Sequence, residues 1–242
     1  MKIITVTLTI LMIPLVFNFS KWINHNNHIY VSSEFILEYK NEEVKILENN
    51  DLRVFIFNKS CEFKVSNGVP NKSFFYMNSN FFDEKNNPLG LVVVNGKKYS
   101  NRINGGAYFY VLNGNPYVSR KCPYYTDYSS QSHLWAISNG YINTSLTKTT
   151  HSKEKTYRNI VGQDKEGNII IIVSKMNGMV TIKDLINEGK HFKMYNAVIF
   201  DGGTSVDYKF DNGDYNVSFK SLPNWIGYIL GYGNPTTYIS VN

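Results

Sequence analysis

Residues 197–205 read Ala-Val-Ile-Phe-Asp-Gly-Gly-Thr-Ser, and this stretch decides how the fold is interpreted. The apolar run at 197–200 predicts a buried β-strand, and Asp201 follows it directly. A rigid strand can hold such a carboxylate at the edge of a cleft. Because Asp-Gly-Gly is also ordinary turn chemistry, the stretch predicts either a functional carboxylate or a simple turn.

A helix is predicted just before this strand. Thr181 can cap its N-terminus, and Asp184, three residues later, completes a capping box. Gly189 is expected to end the helix. The apolar stripe of the helix consists of Ile182, Leu185 and Ile186.

The remainder of the chain predicts strands joined by tight turns, because Tyr, Phe and Asn are abundant. Residues 91–94 and 97–99 flank Asn95-Gly96 and predict a hairpin. A second hairpin is predicted from residues 159–162 and 169–173, and the isoleucines of the latter indicate a strand covered on both faces. We therefore expect an α+β fold, a β-rich mixed-sheet domain with a few helices.

The N-terminus predicts an export segment. Lys2 precedes an apolar run at residues 3–17, whose length suits the core of a signal peptide and falls short of a membrane helix. Residues 18–20 form a poor cleavage site, so residues 1–20 are either a signal peptide or an N-terminal membrane anchor. One domain is expected at residues 21–242, secreted or extracytoplasmic and either released or tethered to a membrane.

Charge and ligand patterns argue against several classes of function. The net charge is +6, but Lys and Arg are scattered rather than gathered into a stripe, so no nucleic-acid partner is expected. His25 and His28 are close enough to share a metal, but they lie in the polar segment after the apolar run and fit a solvated linker better, so neither a metal nor another cofactor is expected. An exported protein would allow Cys61 and Cys122 to pair, and the sequence leaves that pairing open.

Polar groups that suit a binding site occur in residues 77–83 and at one arginine. Asn78, Asn80 and Asp83 alternate with aromatic residues, as in many sugar-binding sites, although a capped turn over an aromatic core gives the same pattern. Arg158 precedes a predicted core strand. A long cation at that position is either a surface residue or a clamp for a ligand.

The residues that follow Asp201 suit an anionic ligand. Gly202 and Gly203 can present successive N–H groups as an anion-binding nest. Ser205 can add a hydroxyl donor.

Taken in their order along the chain, these segments resemble the phosphodiester glycosidase family. Residues 78–82 are similar to the family's Asn-Gly-Gly-x-Phe segment, and residues 131–140 to its Gln-Ser-Gly-Pro stretch. Arg158 matches the family arginine, and residues 201–205 match its Asp-Gly-Gly-x-Ser signature. The resemblance extends from roughly residue 74 to the C-terminus.

The resemblance implies hydrolysis of a sugar 1-phosphodiester to free sugar and a phosphomonoester. It implies catalytic roles for Asp201, Arg158 and Asn78. Arg158 and the glycine N–H groups would hold the phosphate, while Asp201 stabilises an oxocarbenium-like transition state or activates water. The residues expected to bind the sugar-phosphate or glycan substrate are Gly202, Gly203, Ser205, Asn80, Gln131 and Asp83.

Two other functions are compatible with the sequence. Ser79 and Asn80 replace two family glycines, and His133-Leu134 replaces Gly-Pro, which alters the floor of the expected pocket. A non-catalytic binder of envelope or surface glycans that keeps the fold is therefore the alternative. Cleavage at phosphorus is less favoured, because it normally uses metal ligands or a nucleophile and its base.

Overall fold

The computed structural model describes residues 34–211, 215–218 and 235–242. The expected export segment at residues 1–20 lies outside these ranges. Within them, no helix has the length and apolar character needed to cross a membrane. The strands are β1 Ile36–Lys40, β2 Val44–Glu48, β3 Leu52–Phe57, β4 Phe63–Asn67, β5 Phe75–Asn78, β6 Phe81–Phe82, β7 Pro88–Leu89, β8 Val92–Val94, β9 Lys97–Ser100, β10 Ala107–Leu112, β11 Asn115–Ser119, β12 Tyr128–Ser132, β13 Leu134–Ser138, β14 Tyr141–Ile142, β15 Asn159–Gln163, β16 Ile169–Ser174, β17 Asn196–Ile199, β18 Tyr208–Phe210, β19 Tyr215–Val217 and β20 Thr237–Val241. The helices are α1 Thr150–Lys153 and α2 Ile182–His191, with 3-10 turns at Leu146–Lys148 and Gly203–Ser205.

The strands form one large sheet, two five-stranded sheets and a short ribbon of β6 and β7. The large sheet has eight strands in the order β1-β2-β3-β16-β15-β17-β13-β14, and the five-stranded sheets have the orders β11-β10-β12-β8-β9 and β19-β18-β5-β20-β4. Helix α2 connects β16 to β17, which run parallel to each other because both pair antiparallel with β15 between them. This β-rich arrangement with few helices confirms the expected α+β class.

Strand β16 shows how the core is divided. Ile169, Ile171 and Val173 pack into a core shared with the two five-stranded sheets, whereas Ile170 and Ile172 pack into a core beneath helix α2. Because successive side chains of a strand point to opposite faces, the isoleucine run is buried on both sides, as predicted. Each of these side chains stabilises the fold by roughly 1.5–3 kcal/mol on burial.

The predicted hairpins are confirmed. Strands β8 and β9 pair antiparallel around Asn95 and Gly96, whose φ values of 50° and 72° suit a type I′ turn. Strands β15 and β16 pair from Asn159 opposite Val173 to Gln163 opposite Ile169.

Helix α2 begins as predicted, because Thr181 and Asp184 form the reciprocal capping box. Its predicted end at Gly189 was wrong, since the helix continues to His191 and Phe192 is its C-cap. A Cβ atom at Gly189 would lie 3.1 Å from the Sδ atom of Met194. The glycine therefore allows close packing beneath the helix and does not terminate it.

The two cysteines do not form a disulfide. Cys61 and Cys122 are both buried and free, and they belong to different core clusters. The pairing that the sequence left open is therefore absent.

Candidate active site

Asp201 lies where the large sheet meets the five-stranded sheet that contains β5. Its N–H donates to the carbonyl of Ser79 over 3.1 Å. Its carbonyl oxygen accepts from Asn78 Nδ2 at 2.9 Å and from Asn159 Nδ2 at 2.7 Å. The main chain of Asp201 is thus held by side chains and backbone from two different sheets.

The carboxyl group of Asp201 has partners of its own, separate from those of the main chain. Burial raises its pKa to about 6, while hydrogen bonds from the Ser205 side chain and the Gly202 N–H and the charge of Arg158 oppose that rise. A carboxyl group with a pKa near 6 exchanges its proton close to neutral pH. It is therefore suited to acid–base chemistry or to stabilising a developing positive charge.

Arg158 is the cation of the site, and it is only 4% exposed. Its Nη2 donates to the carbonyl oxygens of His151 and Glu154, at 3.1 and 3.3 Å, and its Nη1 lies 3.4 Å from His151 Nε2. Burial lowers its pKa to about 10, and the charges of Glu154 and Asp201 oppose that decrease. The guanidinium is therefore a buried cation held by residues at the end of helix α1.

The Nε donor of Arg158 is not used by the described part of the protein. The atom is buried and has no hydrogen-bond partner among the residues that the structure describes. An unpaired buried donor is costly, so this atom marks a place where an anionic acceptor would be stabilised.

Arg158 and Asn159 project to opposite faces of the large sheet. Ile160 contributes to the core beneath helix α2 and Val161 to the core shared with the five-stranded sheets. Alternation along the strand therefore places Arg158 on the helix side and Asn159 on the other side. Asn159 thus reaches the carbonyl of Asp201 from one face, and Arg158 attracts its carboxylate from the other.

Gly202 and Gly203 do not offer the free N–H groups that an anion nest requires. The Gly203 N–H donates to the carbonyl of Tyr157 over 2.8 Å, and the Gly202 N–H donates to the carboxylate of Asp201. The glycines have another role. A Cβ at Gly202 would lie 2.7 Å from the Tyr157 oxygen, and Gly203 has φ +62°, so both allow the loop to pack against the end of β15.

The side chains of Asn78 and Asn80 are buried and bound to the protein itself. Asn78 Oδ1 accepts from the N–H of Asp207 at 3.1 Å. Asn80 Nδ2 donates to the carbonyl of Gln131 over 2.7 Å, and its Oδ1 accepts from Ser130. These amides therefore hold neighbouring segments of the protein in place and do not present free groups to a ligand.

Gln131 fixes a neighbouring loop in the same way. Its Oε1 accepts from the N–H groups of Leu91 and Ile103, each at 3.0 Å. Its Nε2 donates to the carbonyls of Ile103 and Gly105 at 2.8 and 3.0 Å. With its amide fully occupied, Gln131 positions residues 103–105 and has no group left for direct substrate binding.

Asp83 closes the turn between β6 and β7. Its carboxylate accepts from the side chain and N–H of Asn87 and from the N–H of Lys85, and these bonds lower its pKa. Asp83 therefore does what the turn alternative predicted, and its carboxylate is committed to the turn rather than to a substrate.

The structure adds three residues that the sequence did not single out. Asn159 had a weak signal, an amide at the start of an otherwise apolar strand. Asp207 is buried, and it accepts from the hydroxyl of Tyr238 at 2.8 Å, but nothing in its sequence context marked it. His151 lies beside Arg158 through folding of a four-residue helix, α1, that has no periodicity to detect.

The residues that the structure describes contain no group of three or more His, Cys, Asp or Glu side chains arranged to hold a metal ion.

Comparison with known proteins identifies the family. Residues 71–229 match the model for the phosphodiester glycosidase family. Because this match spans more than half of the chain, the protein belongs to that family, and the resemblance inferred from its motifs is confirmed. A search of curated proteins finds no significant match.

Two solved structures share the fold. The zebrafish N-acetylglucosamine-1-phosphodiester alpha-N-acetylglucosaminidase catalytic domain, described as auto-inhibited by its pro-peptide, is 17% identical with a TM-score of 0.60, and the alignment covers 90% of this chain and 85% of that one. A hypothetical protein from Synechocystis is 12% identical with a TM-score of 0.56, and the alignment covers 86% of this chain and 61% of that one. At these identities the comparisons establish the fold.

Proposed function

We propose that this protein is a hydrolase that cleaves the glycosidic bond of a sugar 1-phosphodiester, giving free sugar and a phosphomonoester. The observation that carries the proposal is the pairing of half-buried Asp201 with buried Arg158 in a member of the phosphodiester glycosidase family. The pair combines a carboxyl that titrates near neutral pH with a cation that has an unused donor.

Arg158 suits the phosphate. Its Nε is a buried donor without a protein partner in the described parts of the chain, and a phosphate oxygen would supply the missing acceptor. A charge-assisted hydrogen bond to phosphate is roughly twice as strong as a neutral one. The guanidinium remains charged near neutral pH, since its lowered pKa of about 10 still lies well above 7.

Asp201 is suited to act at the anomeric carbon of the sugar. In its ionised form it stabilises an oxocarbenium-like transition state or accepts a proton from the attacking water. The leaving group is a phosphate monoester, which departs with less help from a general acid than a sugar hydroxyl does. One carboxylate and one cation therefore stabilise both the positive charge on the sugar and the negative charge on the departing phosphate.

The test is incubation with a panel of sugar 1-phosphodiesters, with the products followed by NMR. Free sugar and phosphomonoester are expected, and the configuration of the first-formed sugar distinguishes retention from inversion. Asp201→Asn is the matched control, and it should release sugar at least about 100-fold more slowly. Sugar 1-phosphate as the product would show cleavage at phosphorus and overturn the proposal.

A non-catalytic glycan binder is the second candidate, and one observation favours it. Ser79 and Asn80 stand where the family has glycines, and both side chains are at most 1% exposed and hydrogen-bonded inside the protein. They fill space that glycines would leave open. Binding of glycans by both the wild type and Asp201→Asn, with no turnover of any phosphodiester, would favour this candidate.

We also propose that the protein acts outside the cytoplasm, released or tethered to a membrane. The proposal rests on Lys2 and the apolar run at residues 3–17. Cell fractionation checks it, and a soluble full-length protein in the cytoplasm would overturn it.

A further inference from the structure

We infer that Asn159 is a positioning residue for Asp201, acting with Asn78 as a pair of amides that fix the main chain of the catalytic carboxylate. The inference deepens the proposed function and rests on the role given there to Asp201. Asn159 itself is fully buried, so it acts on substrate only through Asp201.

The side chain of Asn159 bonds to the main chain of two successive residues, one on each side of the link between Phe200 and Asp201. Its Oδ1 accepts from the N–H of Phe200 at 3.3 Å, and its Nδ2 donates to the carbonyl of Asp201 at 2.7 Å. The ladder between β15 and β17 ends at Ile160 opposite Ile199. The amide side chain of Asn159 therefore continues the hydrogen bonding of the sheet for one more step, where the backbone ladder stops.

A second amide completes the arrangement. Asn78 Nδ2 donates to the same carbonyl of Asp201 at 2.9 Å. A carbonyl oxygen has two lone pairs, and both are used here by side chains from different sheets. With its N–H bound to the carbonyl of Ser79, the main chain of Asp201 is fixed at its own donor and at both lone pairs of its carbonyl oxygen.

The position of Asn159 in the chain explains why this matters for chemistry. It is the neighbour of Arg158, and the two project to opposite faces of β15. Asn159 therefore ties Asp201 to the same strand end that carries the cation, and it sets the separation between carboxylate and guanidinium. Small displacements of a reacting group cost up to about 100-fold in rate, and loss of supporting partners behind a site costs roughly 10- to 100-fold.

The test compares Asn159→Ala and the milder Asn159→Ser with Asn49→Ala. Asn49 is another buried amide, and its Oδ1 accepts from the N–H groups of Asp51 and Leu52. We expect the Asn159 variants to lose roughly 10- to 100-fold in kcat with KM changed less than about threefold. Asn49→Ala should lower thermal stability by a similar amount and leave kcat intact.

A double-mutant cycle tests whether the two amides act on one carbonyl. Asn78→Ala and Asn159→Ala should be non-additive in kcat, because the residues bond to the same atom and Asn159 Nδ2 also lies 3.4 Å from Asn78 Oδ1. Full additivity, or unchanged kcat in a folded Asn159 variant, would overturn the inference.

One readout does not depend on turnover. The Asp201 carboxyl can be followed by ¹³C NMR, with its signal assigned by its absence from Asp201→Asn. In Asn159→Ala the pKa of Asp201 should fall from its wild-type value of about 6 towards that of a solvated carboxyl, because a loosened main chain admits water. An unchanged titration would overturn the inference. If the wild type hydrolyses no sugar 1-phosphodiester, the proposed function fails, and this titration still decides the role of Asn159.

Discussion

Asp201 and Arg158 attract each other, yet partial burial raises the pKa of Asp201 to about 6 and burial lowers that of Arg158 to about 10. Removing charged groups from water is expensive, and an attraction between them recovers only part of that cost. The pair is therefore poorly explained as a device for stability. Perturbed pKa values in a carboxylate and its charge partner are typical of functional sites.

Replacing the charge of Asp201 tests its catalytic role. Asp201→Asn should lower kcat at least about 100-fold with little change in substrate affinity, because the charge is needed mainly in the transition state. Release of free sugar measures kcat, and calorimetric titration measures affinity. Asp83→Asn is the control, since Asp83 bonds to its own turn. Comparable activity in the two variants would show that Asp201-Gly202-Gly203 is only a turn.

Although Asp201→Asn should lose activity, it should be more stable than the wild type at neutral pH. The pKa of Asp201 is about 6 in the folded protein and 3.8 for an ordinary Asp. A raised pKa means that the group favours folding fully below about pH 4 and that this contribution is lost as the pH rises through about 6. Asparagine does not ionise, so Asp201→Asn does not lose this contribution. Above about pH 7 its free energy of unfolding should therefore exceed that of the wild type by up to about 3 kcal/mol.

Urea unfolding at a series of pH values measures this difference. It should shrink as the pH falls from about 7 towards 4, because the wild-type carboxyl then becomes protonated. A difference that stays constant across this range would mean that the Asp201 carboxyl titrates as it does in the unfolded chain.

The guanidinium of Arg158 should affect binding as well as rate. Arg158→Ala should raise KM and lower kcat, with a loss in kcat/KM of roughly 10- to 100-fold or more, because a charge-assisted contact to phosphate is present in both ground and transition states. Arg158→Lys should recover little, since lysine lacks the Nε donor and the planar fork.

Arg53→Lys is the control for Arg158→Lys. Arg53 is also a buried arginine, but its Nε and Nη2 bind the carboxylate of Glu48. A matching rise in KM for the two lysine variants would show that the effect comes from general loosening of the fold.

Two adjacent glycines separate backbone strain from close packing. Gly105 and Gly106 have φ values of +75° and +77°, but a Cβ at Gly105 meets nothing within 4 Å, whereas one at Gly106 would lie 2.0 Å from the Ser132 carbonyl oxygen. Gly105→Ala should cost about 1–2 kcal/mol from strain alone. Gly106→Ala should cost clearly more, because backbone must also move. Thermal unfolding measures both, and equal costs would show that the loop yields freely.

Local patterns in the sequence predicted local structure well. The capping box of Thr181 and Asp184 and the isoleucine strand at residues 169–173 follow from spacings of a few residues, and both are present. The end of helix α2 was missed because the role of Gly189 depends on Met194, which packs against it after the chain has turned back. Periodicity does not report such a contact.

In the site, too, the sequence predicted local features and missed contacts between distant residues. The sequence pointed to Asp201 and Arg158, and in the structure the charge of each affects the pKa of the other. The sequence could not show that the Gly203 N–H bonds to the carbonyl of Tyr157, or that Asn159 reaches the carbonyl of Asp201. These partners are far apart in the chain, and only the pairing of strands brings them together.

The bonds that fix Asp201 engage its main chain, through Ser79, Asn78 and Asn159, and would be made by any residue at that position. These main-chain bonds therefore do not depend on the carboxylate that position 201 presents. Substitutions that keep the size of Asp201, such as Asp201→Asn, should therefore leave the surrounding backbone in place. Inactive variants that still fold should be suitable for trapping an intact substrate in a crystal, and the same position is a natural starting point for engineering a transferase that builds sugar phosphodiesters.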